Sequence, residues 1–294
     1  MNTTEMISSI KIQGSFPTSD DLFSTSDFLV LFNNQLKTDI TPMMLKLNEE
    51  FFLQYKDFAI QSGARYRIPR RAIGAKIRDL QYIDPSNNYS SIDRLFEEDR
   101  PRSKSGYYML RNEVELSTDF ITGTLRMKYF ARPNELVLPS SCGIIQSIDT
   151  GTFQVTLSST PNTFTTGSLM DFIQNNNPYD LLGFDYAITG VSGNTIEFSS
   201  LPVGLEVGDW LCLANQAPVP MIPDELHPVL VKSALCATLS AKKDKSFEQE
   251  MVILQQMKED AINMLDPRVD NDSIKFRSGA ILNFFGSRVL GRGY

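Results

Sequence analysis

Between Leu226 and Ala241 almost every residue is apolar or small, and only Lys232, Ser233 and Ser240 make a narrow polar stripe. A helix with that pattern must be covered on most of its sides, so the rest of the chain has to wrap it. Pro220 and Pro223 keep the approach extended, and Pro228 is tolerated in a first helical turn. Small residues at Ala234, Cys236 and Ala237 allow a second helix to come close. Lys242-Lys243-Asp244-Lys245 breaks the pattern, and Ser246 with Gln249 reads as a capping box for another helix. That helix carries Phe247, Met251, Leu254, Ala261 and Leu265 at steps of three and four, interrupted by Lys258, and stops at Pro267.

The first 63 residues supply a counterpart. Residues 1–18 read as an arm or irregular lead-in. Ser24 and Ser26 are candidate caps for a helix with Phe28, Leu29, Leu31, Phe32 and Leu36. After a short link at Thr38-Asp39-Ile40, Thr41-Pro42 predicts the start of a second helix and Gly63 its end. Met44, Leu47, Phe51, Tyr55 and Phe58 would form its core stripe, and so short a link predicts antiparallel packing.

From Ala64 onward the periodicity shortens. Tyr66 to Pro69 and Ala75 to Ile83 alternate like strands, and residues 86–105 read as a solvated loop. Between 106 and 215, strand signals recur every eight to twelve residues. Turn chemistry separates them at Arg111-Asn112, Asp149-Thr150-Gly151 and Ser192-Gly193-Asn194. The predicted fold class is α+β: a helical bundle module formed by both chain ends, an inserted antiparallel β-sandwich or barrel-like domain, and an extended C-terminal tail. The expected divisions are 1–63 (arm and first helical half), 64–216 (β domain), 217–266 (second helical half) and 267–294 (tail). Two separate helical hairpins are the alternative, but neither has enough apolar surface to stand alone.

In the final segment five basic residues against two acidic ones leave +3, so the remainder of a chain of net charge −7 carries −10. That balance argues against a nucleic-acid surface spread over the whole molecule. Three cysteines, Cys142, Cys212 and Cys236, lie far apart in apolar contexts and read as buried thiols of a reducing compartment. No apolar run is long enough for a membrane span, and a signal peptide is not expected.

Chemistry-bearing motifs are sparse. The single histidine, His227, stands at a helix start, which favours capping or packing over catalysis. One histidine with scattered cysteines does not make a zinc site, and no phosphate-cradling glycine loop is present. No cofactor is expected. Glu97-Glu98-Asp99 reads as a solvated loop more readily than a calcium site. Arg65, Arg67, Arg70 and Arg71 form a basic cluster around Tyr66. It fits either contact with phosphate or DNA, or a strand edge paired with acidic groups of another subunit. A hydrolase using Asp119, Glu135 or Asp185 lacks any visible constellation.

Several stretches carry a resemblance. They are Asp27 to Gly63 followed by Arg65-Tyr66-Arg67-Ile68-Pro69-Arg70-Arg71-Ala72-Ile73-Gly74, Leu80 to Asp84, Met127 to Val137, Val207-Gly208-Asp209-Trp210 and Pro218 to Leu230. Together they resemble the head–tail connector proteins (adaptors or neck ring proteins) of tailed bacteriophages. That resemblance implies a non-enzymatic virion protein at the head–tail junction, assembled in the host cytoplasm. It implies a homo-oligomeric ring of twelve subunits below the portal protein, a following tail or neck protein, transient non-specific passage of DNA, and no membrane contact. It also implies that the tail reaches the portal, with Arg277, Ile281, Leu282, Phe284, Phe285, Arg288, Arg292 and Tyr294 as binding candidates. Arg65, Arg67, Arg70 and Arg71 would then face a neighbouring subunit or the DNA channel. A different phage tail or fibre-base protein, whose β domain binds a receptor or partner through Trp210, Tyr107, Tyr108, Tyr179 or Tyr186, is the alternative.

Overall fold

The structure, a computed structural model, describes residues 1–16, 23–96, 98, 105–117, 119–120, 122–177 and 179–265. It is mixed α+β, with helices at both ends of the described chain and two β units between them.

Helix α4 (His227–Lys242) buries ten of its side chains, as its composition demands. Two of the three residues in its polar stripe reach neighbouring elements, while Ser240 is exposed. Lys232 pairs with Glu250 of α5 (Phe247–Leu265), and Ser233 donates toward Gln35 and Asp39. Lys258, the interruption in the α5 pattern, reaches the same Asp39 at 2.7 Å. The buried faces of α4 and α5 join those of the N-terminal helices in one apolar core.

The expected arm contains a helix. Residues Thr3–Gln13 form helix α1, opened by a reciprocal cap in which the Asn2 side chain accepts from the Glu5 amide and the Glu5 carboxylate accepts from the Asn2 amide. Met6, Ile7 and Ile10 then fall on one face, which is buried against α4.

Helix α2 (Thr25–Gln35) starts at Ser24, whose hydroxyl accepts from the Asp27 amide. The expected link after it is not a link. Leu36–Ile40 is a turn of π-helix that runs directly into α3 (Thr41–Leu47), so there is no antiparallel pair. Pro42 has no amide proton for the carbonyl four residues back, and the widened turn accommodates it. The Thr41 hydroxyl returns to the Leu36 carbonyl at 2.6 Å.

The helix also ends earlier than expected. Asn48 leaves helical geometry, its side chain accepts from the Glu50 amide, and a short 3-10 turn leads into strand β1 (Leu53–Ala59). Tyr55 and Phe58 therefore belong to a sheet. Pairing with β7 (Thr124–Ala131) along the whole of β1 overrides the helical spacing.

The β region is two units, not one. Strands β2 (Arg65–Arg67), β3 (Ala72–Ile83), β4 (Tyr89–Ser91), β5 (Tyr107–Leu110) and β6 (Glu113–Leu116) complete the first with β1 and β7. A four-stranded sheet, β1-β7-β3-β4, and a three-stranded sheet, β2-β6-β5, share a core around Tyr66, Leu80, Val114, Leu125, Met127 and Tyr129.

The short β8 (Glu135–Leu136) then leads to β9 (Gly143–Asp149), β10 (Gln154–Leu157), β11 (Leu169–Ile173), β12 (Leu181–Ser192), β13 (Thr195–Phe198), β14 (Trp210–Leu213) and β15 (Gln216–Ala217). Six of these close a barrel in the order β10-β13-β12-β11-β14-β9, while β8 and β15 pair in parallel. The buried Asn33 of α2 fastens the helices to this pair: its amide donates to the Leu136 carbonyl and its oxygen accepts the Leu136 amide at 2.7 Å.

Candidate functional site

Where the sheet pair meets the barrel, the basic cluster divides by role. Arg71, just ahead of β3, is buried and turned inward. Its Nη2 donates to Asp171 of β11 at 2.7 Å and to Asp185 of β12 at 3.0 Å, and Nη1 donates to Asn134 at 3.0 Å. Asp171 is 0% exposed. It also accepts from the Asn134 side chain and from the backbone amides of Asn215 and Asp185.

Burial opposes the Arg71 charge, but Asp171 and Asp185 outweigh it and hold the guanidinium above its usual range. Burial likewise pushes Asp171 up, while Arg71 and the amide donors pull it back. Next to this network lies Tyr129, a buried phenol that burial raises to about 12. Arg71 is thus an internal fastener between β units. The expectation that it faces a subunit interface or DNA is corrected.

Arg67 and Arg70 remain exposed. With Lys56 of β1 they line an open groove of about 360 Å³, whose floor includes Ile68, Pro69, Leu169 and Asn215. Arg67 also borders an adjoining groove of about 740 Å³ with Arg65 and Arg111. Arg65 is already paired, within its own chain, to Glu115 at 3.1 Å. Among the described residues neither Arg67 nor Arg70 has an acidic partner. Two cations without acidic partners, Arg67 on β2 and Arg70 in the turn before β3, stand beside a third on β1 and can receive a phosphate or a carboxylate.

The other candidates fall elsewhere. The tail residues Arg277, Ile281, Leu282, Phe284, Phe285, Arg288, Arg292 and Tyr294 lie outside the described residues, as do Glu97 and Asp99. Asp119 lies in the turn region between β6 and β7, Glu135 on β8 and Asp185 on β12. Glu135 lies 3.7 Å from Lys37, and Asp185 belongs to the Arg71 network. Trp210 is core, and its indole donates to Asn175 Oδ1. Tyr108 is buried, Tyr186 packs edge-on against Phe172, and Tyr179 stacks on His227.

His227 opens α4 almost fully buried. Nε2 faces the carbonyls of Pro220 and Ile222 at 3.2 Å, which makes it the protonated nitrogen, and Nδ1 lies 2.9 Å from the Met1 amine. Its role is to hold the start of the helix. Among the described residues no group of three or more His, Cys, Asp or Glu is placed to hold a metal ion, and no helix is long and apolar enough to cross a membrane.

Sequence reasoning missed Lys56, assigned there to a helix, and the partners of Arg71. Asn134, Asp171 and Asp185 lie 63, 100 and 114 residues away from it, so no local signal joins them. Compared with known proteins, the chain matches no family and no curated protein.

Proposed function

We propose that this chain is a structural protein of a tailed-bacteriophage virion, a head–tail connector that forms a ring beneath the portal protein and joins head to tail. In this reading, helices from the two chain ends form the frame of each subunit. The segment 267–294 reaches the portal, and Arg67 and Arg70 meet an acidic face of the next subunit or the phosphates of passing DNA.

The observation that carries it is the shared core of α1, α2, α4 and α5, which buries both ends of the described chain together. A frame of that kind ends at α5, and in this reading the basic, apolar-studded final segment continues from there to the portal. Head-to-tail contacts close into a ring only at one rotation, and the unpaired cations Arg67 and Arg70 are suited to set it.

The test is portal binding by the full chain and by a chain ending at Asp266. Binding by the full chain alone is expected; equal binding by both removes the tail from the mechanism. Arg67→Glu with Arg70→Glu is expected to weaken self-assembly measured by light scattering. The reading as a tail or fibre-base protein draws on the barrel, whose β13–β14 loop leaves Val203 and Val207 exposed. Microscopy that places the protein at the tail tip instead of the portal vertex would favour it.

A further inference from the structure

The barrel closes through seams of unequal strength. Five of its strand pairs are held by three or four matched residues, whereas β9 and β14 share two, Ile144 with Trp210 and Gly143 with Leu211. One step further along that register, Cys142 falls opposite Cys212. The two thiols are hydrogen-bonded to one another and buried in the same apolar cluster with Trp210, Ile173 and Val219. Both are free.

Directly opposed residues of antiparallel strands stand about 4.5 or 5.5 Å apart at Cα, and both values fall inside the range that a disulfide spans. Cys236 is the internal contrast, since it lies in the helical core and not in this cluster.

We propose that Cys142 and Cys212 form a latent cross-strand disulfide that closes the thinnest seam of the barrel when the protein meets a small-molecule disulfide such as oxidised glutathione. A Cys142 thiolate attacks one sulfur of the oxidant and expels one small thiol. Cys212 then attacks the Cys142 sulfur of the mixed disulfide, and its proton passes to the second small thiolate as that leaves. Two protein thiols are oxidised and one small disulfide is reduced to two thiols, so electrons and protons balance.

The order follows from access. Cys212 is sealed on β14, and burial pushes its thiol well above the usual range. Cys142 is also buried, at 3% exposure, but it immediately precedes β9 and follows Ser140 and Ser141, which line a surface groove of about 490 Å³, so it is the thiol nearer to solvent. This inference stands apart from the connector reading, because it rests only on the barrel.

The experiment refolds the full chain from urea in a glutathione redox buffer, blocks remaining thiols with N-ethylmaleimide, and maps the digest by mass spectrometry. A Cys142–Cys212 linked peptide and a single alkylated cysteine, Cys236, are expected. Cys142→Ser and Cys212→Ser should each abolish the link, and Cys236→Ser should retain it. In a thermal melt the linked form should unfold at a higher temperature than the reduced one. Three alkylated cysteines, a link through Cys236, or a linked form that melts below the reduced protein would each overturn the proposal.

Discussion

Replacing Arg71 with methionine tests the fastener between the β units. The substitution keeps much of the side-chain volume but deletes three hydrogen bonds, to Asp171, Asp185 and Asn134. Asp185, at 35% exposure of its side chain, can turn to water; Asp171, fully buried, cannot. It keeps only amide donors against its charge. Removing one member of a buried ion pair typically costs about 3–5 kcal/mol, most of it the penalty on the partner left behind. With a urea slope of about 3 kcal/mol per M, the unfolding midpoint should fall by about 1–1.7 M. The only tryptophan, Trp210, lies in the barrel, so its fluorescence follows that unit while circular dichroism follows the whole chain. Adding Asp171→Asn removes the stranded charge, so the double variant should be more stable than Arg71→Met alone by about 1 kcal/mol or more. An Arg71→Met protein within about 1 kcal/mol of the parent, or strictly additive effects in the pair, would refute the reasoning.

Other expectations follow from the same contacts. Ile10 is fully buried, so Ile10→Ala should cost about 2–5 kcal/mol. Ile12, 78% exposed two residues on, should cost under about 0.5 kcal/mol. Chemical denaturation separates the two, and equal effects would return the segment to an unpacked arm. Burial lowers the pKa of His227 from its ordinary 6.5. Below pH 6.5 the unfolded chain therefore binds a proton that the folded chain refuses, and stability should fall with acid by up to about 1.4 kcal/mol per pH unit. His227→Gln should remove that loss between pH 6.5 and its folded value; an unchanged slope in the melting temperature would contradict the assignment. Carboxylates held low by side-chain or backbone hydrogen bonds, such as Asp27 by Ser24 and Asp84 by Asn88, act only below about pH 3.8. Arg126 grips Asp57 through two hydrogen bonds on the outer face of the sheet, under the ring of Tyr55. Because both side chains meet solvent, a double-mutant cycle should return about 0.5–1 kcal/mol and weaken with salt.

How much the sequence disclosed depended on how far each element's partners lay along the chain. Helix α4 was legible because its covering is written into its own composition. The β5–β6 and β12–β13 hairpins were legible because their turns carry the needed residues, Arg111-Asn112 and Gly193-Asn194. Strand β1 was not, because Tyr55 and Phe58 satisfy a helical spacing and only β7, about seventy residues later, decides otherwise. Helix α1 was overlooked although its Asn2…Glu5 cap was in plain view, since eleven residues carry little periodicity. At the candidate site the exposed cations could be found by type. The distinction between Arg71, spent internally, and Arg67 and Arg70, left free, depends on carboxylates that the chain brings in from the barrel.

The π-turn at Leu36–Ile40 keeps a long row in phase. Phe28, Phe32, Leu36, Ile40 and Met44 follow one another every fourth residue, and all five are buried. On an unbroken α-helix each such step advances about 40°, so sixteen residues would carry the row roughly 160° around the axis and point Met44 away from Phe28. A turn holding more residues per revolution winds that drift back. Deleting one residue between Leu36 and Ile40 would thus keep all five buried side chains of the row while swinging α3 out of alignment with the helices it touches.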